Sequence, residues 1–185
     1  MTDDSFHSPQ VRLATVGDVP ALLPLMRALA EYEGYADRFV VTEATLAEQG
    51  FRRSPPGFEC FVADTGDGTL TGMLVFYMIP FTFSARPTFF VKELYVAEAS
   101  RGSGVGERLM RAAASEAVRR GCGIMKWQVA RWNSAAARFY ERLGAAPDPE
   151  WVDYVLSSDA CAALADAVDR NLSSFRPRPL NSTGD

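Results

Sequence analysis

The segment Arg101-Gly102-Ser103-Gly104-Val105-Gly106 sets three glycines directly before an amphipathic helical pattern, a combination suited to holding an anion. Glycine opens turn conformations closed to other residues, and successive amides then point into one concavity. At the head of a helix the positive end of the macrodipole adds to them, so phosphate is the natural ligand. The spacing narrows the choice. A dinucleotide fingerprint needs G-x-G-x-x-G after the first strand, whereas these glycines fall at 102, 104 and 106, past the middle of the chain. A P-loop needs Gly-Lys-Ser/Thr, whereas Gly106 is followed by Glu107 and Arg108. Both nucleotide patterns fail.

Other chemistry is bounded by residue type. The one histidine, His7, stands in a polar leader without periodicity. Serine–histidine triads, HExxH zinc sites and histidine bases are thereby set aside. Tyrosine, cysteine, carboxylates, backbone amides and water remain. Tyr140 offers a phenol that ordinarily titrates at about 10, near a thiol leaving group; it also fits a core aromatic at helical spacing with Phe139 and Leu143. Glu93, Glu31 and Glu33 are the candidate proton acceptors, each equally readable as a solvated acid. Cys60, Cys122 and Cys161 are odd in number and form no CxxC pair, so free thiols in a reducing compartment are expected.

These groups need a scaffold, and the hydrophobic periods supply one. Residues 11–14 read as a strand leading into Thr15-Val16-Gly17-Asp18, a capping pattern. In the helix that follows, Leu22, Met26, Leu29 and Glu33 share a face, and Pro24 should kink or divide it. A second helix is expected over 42–51, ended by Ser54-Pro55-Pro56-Gly57. Strands follow at 58–64 and 70–79, joined as a hairpin by Thr65-Gly66-Asp67-Gly68, and again at 88–96. After the glycine turn, Val105, Leu109, Ala113 and Ala117 stripe one face of a helix. A strand at 124–130, a helix capped by Asn133 and closed by Gly144, and a last strand at 151–156 complete the order β-α-α-β-β-β-α-β-α-β. One mixed sheet with helices on both faces results.

Composition agrees with a single globular domain. The 185 residues are 48% hydrophobic and 23% charged, enough to bury one core without a disulfide or metal staple. The net charge of -4 carries no basic stripe, which argues against nucleic acid as a partner. The acidic start lacks an apolar h-region and the longest apolar run, near 73–81, is too short to span a bilayer, so a cytoplasmic protein without membrane attachment is expected.

The glycine turn resembles the acyl-CoA pyrophosphate loop of the GNAT superfamily of N-acetyltransferases, R/Q-x-x-G-x-G/A, matched by Arg101, Gly104 and Gly106. The resemblance extends to Trp132-Asn133-Ser134 through Phe139-Tyr140 and Leu143-Gly144-Ala145, and to Glu93-Leu94-Tyr95-Val96. Together with Leu29-Ala30-Glu31-Tyr32-Glu33 these are similar to the diamine (spermidine/spermine-type) subgroup. The match runs from about Val11 to Leu156.

The resemblance implies an α/β fold: a single-domain, mixed, mostly antiparallel twisted sheet with a splayed parallel strand pair. It implies an N-acetyltransferase domain over 11–157, while the residues outside it read as a disordered leader over 1–10, a short helix over 158–171 and a flexible tail over 172–185. Acetyl-CoA is the implied cosubstrate, with no metal. Leu94, Tyr95 and Val96 would hold the pantetheine arm through main-chain atoms. Arg101, Gly102, Ser103, Gly104, Val105 and Gly106 would cradle the pyrophosphate, and Asn133 and Ala136 would complete the cleft. Tyr140 would be the general acid and Glu93 the base acting through water, with Glu31 and Glu33 as alternatives; Lys92, Glu31 and Glu33 would bind the acceptor, where Lys92 could clamp a substrate carboxylate.

Polyamine-acetylating relatives carry acids at the positions of Ala28 and Lys92, and a tryptophan near Ser84, so polyamine use does not follow. A small diamine or amino-acid-like acceptor is expected, with a non-catalytic acetyl-CoA sensor and a protein acetyltransferase as the alternatives. The aromatic loop at Phe81 and Phe83 favours a closed small-molecule pocket, and a homodimer is implied with Trp151 and Tyr154 as candidate interface residues.

Overall fold

The computed structural model describes residues 8–80 and 84–172. His7, Phe81, Phe83 and the tail beyond Leu172 lie outside the described residues. The chain divides after Gly144 into two compact units.

The first unit is built on a five-stranded sheet in the order β1-β2-β3-β4-β5. β1 (Gln10–Leu13), β2 (Glu59–Asp64), β3 (Leu70–Ile79) and β4 (Thr88–Val96) pair antiparallel, and β5 (Ile124–Lys126) joins β4 in parallel. One face carries α1 (Val19–Tyr32) and α2 (Glu43–Ala47), whose Leu22, Leu25, Leu29 and Leu46 pack on Val62, Met73 and Val75. The opposite face carries α3 (Val105–Arg119), whose Val105, Leu109 and Ala113 pack on Phe61, Leu74, Phe76 and Phe89. The alternation of β2 and β3 therefore feeds two cores. Both faces of the central strands are buried, as the apolar run of β3 requires.

The register of β3 on β4 breaks once. Val75 opposes Glu93, and Phe76 opposes Val91, so Lys92 is the extra residue of a β-bulge. An inserted residue reverses the parity of everything after it. Phe89 and Val91 face α3, but beyond the bulge Leu94 and Val96 take that side, while Tyr95 packs with the α1 core. Glu93, opposite Val75, is thereby turned to the α1 face. A strict period-2 reading would have placed it on the other side.

Three sequence expectations are corrected. Pro24 does not divide α1, which is continuous from Val19 to Tyr32. Pro20 and Pro24 are both exposed, so the carbonyl left without a donor can be hydrated, while Leu22, Leu25 and Leu29 anchor the helix. The strand expected over 124–130 pairs only over Ile124–Lys126, because it diverges from β4 after Phe90. Residues 151–156 form no strand. Their alternating Val152, Tyr154 and Leu156 look strand-like, but a strand exists only through a ladder partner, and among the described residues they have none. The second unit holds α5 (Ser158–Leu172).

Candidate active site

The divergence of β5 from β4 opens a cleft of about 770 Å³ in the first unit. Lys92, Glu93, Leu94, Tyr95 and Val96 line one wall, and Gln128, Val129 and Ala130, on the segment leaving β5, line the other. Since the parallel ladder ends at Phe90 and Lys126, this stretch of β4 has no strand partner on that side among the described residues. Its main-chain donors and acceptors need partners from elsewhere. An extended, amide-bearing ligand can supply them as an added strand would.

The end of the cleft is closed by the glycine turn. Gly102 and Gly104 take φ of 77° and 81°, left-handed values that favour glycine, and Gly104 is the N-cap of α3. The Ser103 hydroxyl donates to the Ser100 carbonyl at 2.6 Å, tightening the turn from outside the cleft lining. Arg101 Nε donates to the Val96 carbonyl at 3.2 Å, and its guanidinium lies over the rings of Tyr32 and Tyr95, 5.1 and 5.7 Å from their centroids. That side chain ties the turn to β4 and α1. Arg101 lines the cleft together with Gly104, Val105 and Gly106.

The fourth side is α4 (Ser134–Arg142), which contributes Ala136, Phe139 and Tyr140. Asn133 caps it, accepting a hydrogen bond from the Ala136 amide at 3.0 Å. Tyr140 packs on Phe139 and on Trp127, at centroid distances of 5.1 and 5.0 Å. Burial, and secondarily the charge of Glu33, push its phenol up to about 12. It stays protonated throughout the physiological range, as a proton donor must.

Glu33, at the C-terminal end of α1, lines the same cleft. Loss of solvent and the neighbouring Glu93 raise its carboxyl above the ordinary value, against an opposing pull from Lys92. Burial, Glu93 and Glu33 likewise push the Tyr35 phenol up to about 12. Lys92 Nζ lies 3.3 Å from Glu93, a pair made possible because the bulge re-aims Lys92. Glu31 and Glu33 are both exposed to solvent, but Glu31 lies outside the cleft lining. None of the three cysteines lines the cleft; burial pushes Cys60 up to about 12 and raises Cys122.

Sequence reasoning thus named most of the cleft. It missed Tyr32, which carries Arg101 and meets Trp132 at a centroid distance of 5.6 Å. The signal was Tyr32 itself, one residue before Glu33 at the end of an amphipathic helix. It also missed the bulge, for which a charged pair inside an apolar strand was the clue.

An open strand edge, an anion turn heading a helix, a half-buried phenol and a carboxylate of raised titration meet in one cleft, a combination suited to acyl transfer from a phosphate-bearing thioester. The chain belongs to the acetyltransferase (GNAT) family, whose model matches residues 25–145, and is an N-acetyltransferase of that family. It is 30% identical over 165 residues to the thialysine N-epsilon-acetyltransferase of Sus scrofa, covering 84% of this chain and 96% of that protein. It is 28% identical to the L-ornithine N5-acetyltransferase of Arabidopsis thaliana, covering 84% and 87%. Among solved structures, an integron cassette protein from V. cholerae superposes with a TM-score of 0.73 at 22% identity, covering 86% of this chain and 98% of that one. The last likeness speaks for the fold alone. Transfer of acetyl from acetyl-CoA to an amine follows from the family.

Proposed function

We propose that the chain acetylates the primary amine of a small amino-acid-like compound by direct attack of the amine on the thioester. The observation that carries this reading is the convergence of Tyr140, Glu33 and the open edge of β4 on one cleft. Bound there, acetyl-CoA supplies a thioester carbonyl; the residues supply position and proton transfer. Main-chain groups of Leu94, Tyr95 and Val96 hold the pantetheine arm, and the α3 amides with Gly102, Gly104, Val105 and Gly106 hold the pyrophosphate, where Arg101 adds charge. Asn133 and Ala136 form the opposing wall. An amide near Val96 donates to the developing oxyanion.

Glu33 takes the ammonium proton through water. Its raised titration makes it a better base than a carboxylate at the ordinary value, and Glu93, paired with Lys92, orients the amine beside it. Tyr140 returns a proton to the departing thiolate. No step uses a cysteine, and the reading assigns no role to a metal. A lysine in place of an acid at position 92 disfavours a polycationic acceptor, and relatives named for thialysine and ornithine support an amino acid. The same reading includes a homodimer, from the subgroup resemblance, and a cytoplasmic location, from three free cysteines. A mass-resolved acetylation panel of amino acids, polyamines, aminoglycosides and a lysine peptide tests the acceptor class. A monomeric mass at micromolar concentration would remove the dimer.

A further inference from the structure

A second cavity, of about 420 Å³, lies on the α1–α2 face of the sheet. It shares Leu29, Lys92 and Glu93 with the main cleft, so the two spaces adjoin at the β4 bulge. Its walls are largely apolar, with Met26, Phe39, Val41, Phe58 and Val75 among them. Arg27 lies over the Phe39 ring, 5.3 Å from its centroid, and fixes that wall. The end shared with the cleft carries Glu93, paired with Lys92.

Arg38 lines the same cavity, on the turn Ala36–Arg38 that follows α1. Among the described residues its guanidinium has no ion pair, whereas Lys92, the other cation of the lining, is engaged by Glu93. The cavity therefore has one carboxylate, Glu93, toward the reacting centre, an apolar middle and the solvent-exposed, unpaired guanidinium of Arg38. An unpaired arginine in such a place presents a planar fork of donors matched to a carboxylate. The complementary ligand has an ammonium, an aliphatic linker and a carboxylate.

We propose that this cavity receives the distal end of the acceptor, and that Arg38 binds its carboxylate and selects amino carboxylates over diamines of equal reach. The proposal rests on the small-amine reading above and names its specificity residue. Lys92 then serves to offset Glu93 rather than to clamp the substrate.

The test compares L-ornithine with putrescine, the same carbon chain without the carboxylate, in the full chain and in Arg38→Ala and Arg38→Lys. For ornithine, Arg38→Ala should lower kcat/KM at least ~10-fold, chiefly through KM, and Arg38→Lys should recover part of it. Putrescine turnover and acetyl-CoA affinity should be unchanged within about twofold. An equal loss for both acceptors, or none for ornithine, overturns the proposal. Should the wild-type chain acetylate neither while binding acetyl-CoA, the small-amine reading fails separately. Calorimetry of ornithine with the CoA-loaded protein then decides: binding lost in Arg38→Ala sustains the cavity assignment, and no binding in wild type overturns it.

Discussion

The ring of Tyr140 rests against Trp127, centroids 5.0 Å apart, where the segment after β5 has left the sheet. The indole removes water from the phenol, and that burial is the main reason the hydroxyl holds its proton up to about 12. Tyr140→Phe keeps the ring packing and removes only the hydroxyl. Turnover should fall at least ~10-fold, about 1.4 kcal/mol of barrier, with acetyl-CoA affinity nearly unchanged. Single-turnover CoA release checks this, and equal rates would take Tyr140 out of the mechanism.

Glu33 couples activity to stability with opposite signs. Its folded-state titration lies above the ordinary 4.5. The folded chain therefore holds this proton to higher pH than the unfolded chain, and its contribution to stability is lost as pH rises past that value. Glu33→Gln should melt higher than wild type at pH 7, and the difference should vanish below pH 4.5. The same variant should lose at least ~10-fold in kcat/KM and the acid limb of the pH profile assigned to this group. Full activity with an unchanged acid limb would pass the base role to Glu93.

The glycine turn separates strain from ligand contact. Gly104 stands at φ 81°, so Gly104→Ala should cost roughly 1–2 kcal/mol of stability. Gly106 lies inside α3, where an added Cβ would stand 3.5 Å from Phe139 and 3.6 Å from Val96, ordinary contacts. Gly106→Ala should therefore fold with stability within about 1 kcal/mol of wild type. Because Gly106 lines the cleft, the new methyl should still raise the acetyl-CoA Kd at least ~10-fold. Calorimetry alongside chemical denaturation reads both; an unchanged Kd would move the pyrophosphate elsewhere.

Acid stability should draw in part on Arg12, which reaches Asp18 and Asp64, each at 2.7 Å. Its hydrogen bonds pull Asp18 down to about 2, and the Gly66 amide together with Arg12 lowers Asp64. Depressed carboxylates stabilise the fold above their ordinary value and lose that contribution as pH falls through the folded one. Unfolding free energy should thus drop between pH 3.8 and about 2. Arg12→Met should cost about 1–2 kcal/mol at pH 7 and flatten that drop, as read by urea melts at both pH values.

Much of this was legible because it is local. Periodicity placed Leu22, Leu29, Leu109 and Ala113 on their core faces, and the glycine spacing marked the head of α3. What escaped depended on pairing between distant segments. The bulge that turns Glu93 toward Glu33 arises from the offset of β4 against β3, and no single strand shows it. The cleft exists because β5 stops pairing after Lys126, although residues 127–130 look as strand-like as those before them. Tyr32 meets Arg101 only after α1 is laid across the sheet. Val152, Tyr154 and Leu156 alternate as a strand would, yet alternation without a partner strand forms none.

Direct acetyl transfer is the central claim, and intact-protein mass spectrometry during turnover tests it most directly. The full chain is mixed with acetyl-CoA and an amine panel that includes ornithine, lysine and spermidine, and protein and small molecules are read together. Acetylated amine should appear with one equivalent of free CoA while the protein mass stays unmodified. An acetylated cysteine that decays as product forms would contradict direct attack, and bound acetyl-CoA with no CoA released by any amine would contradict catalysis itself.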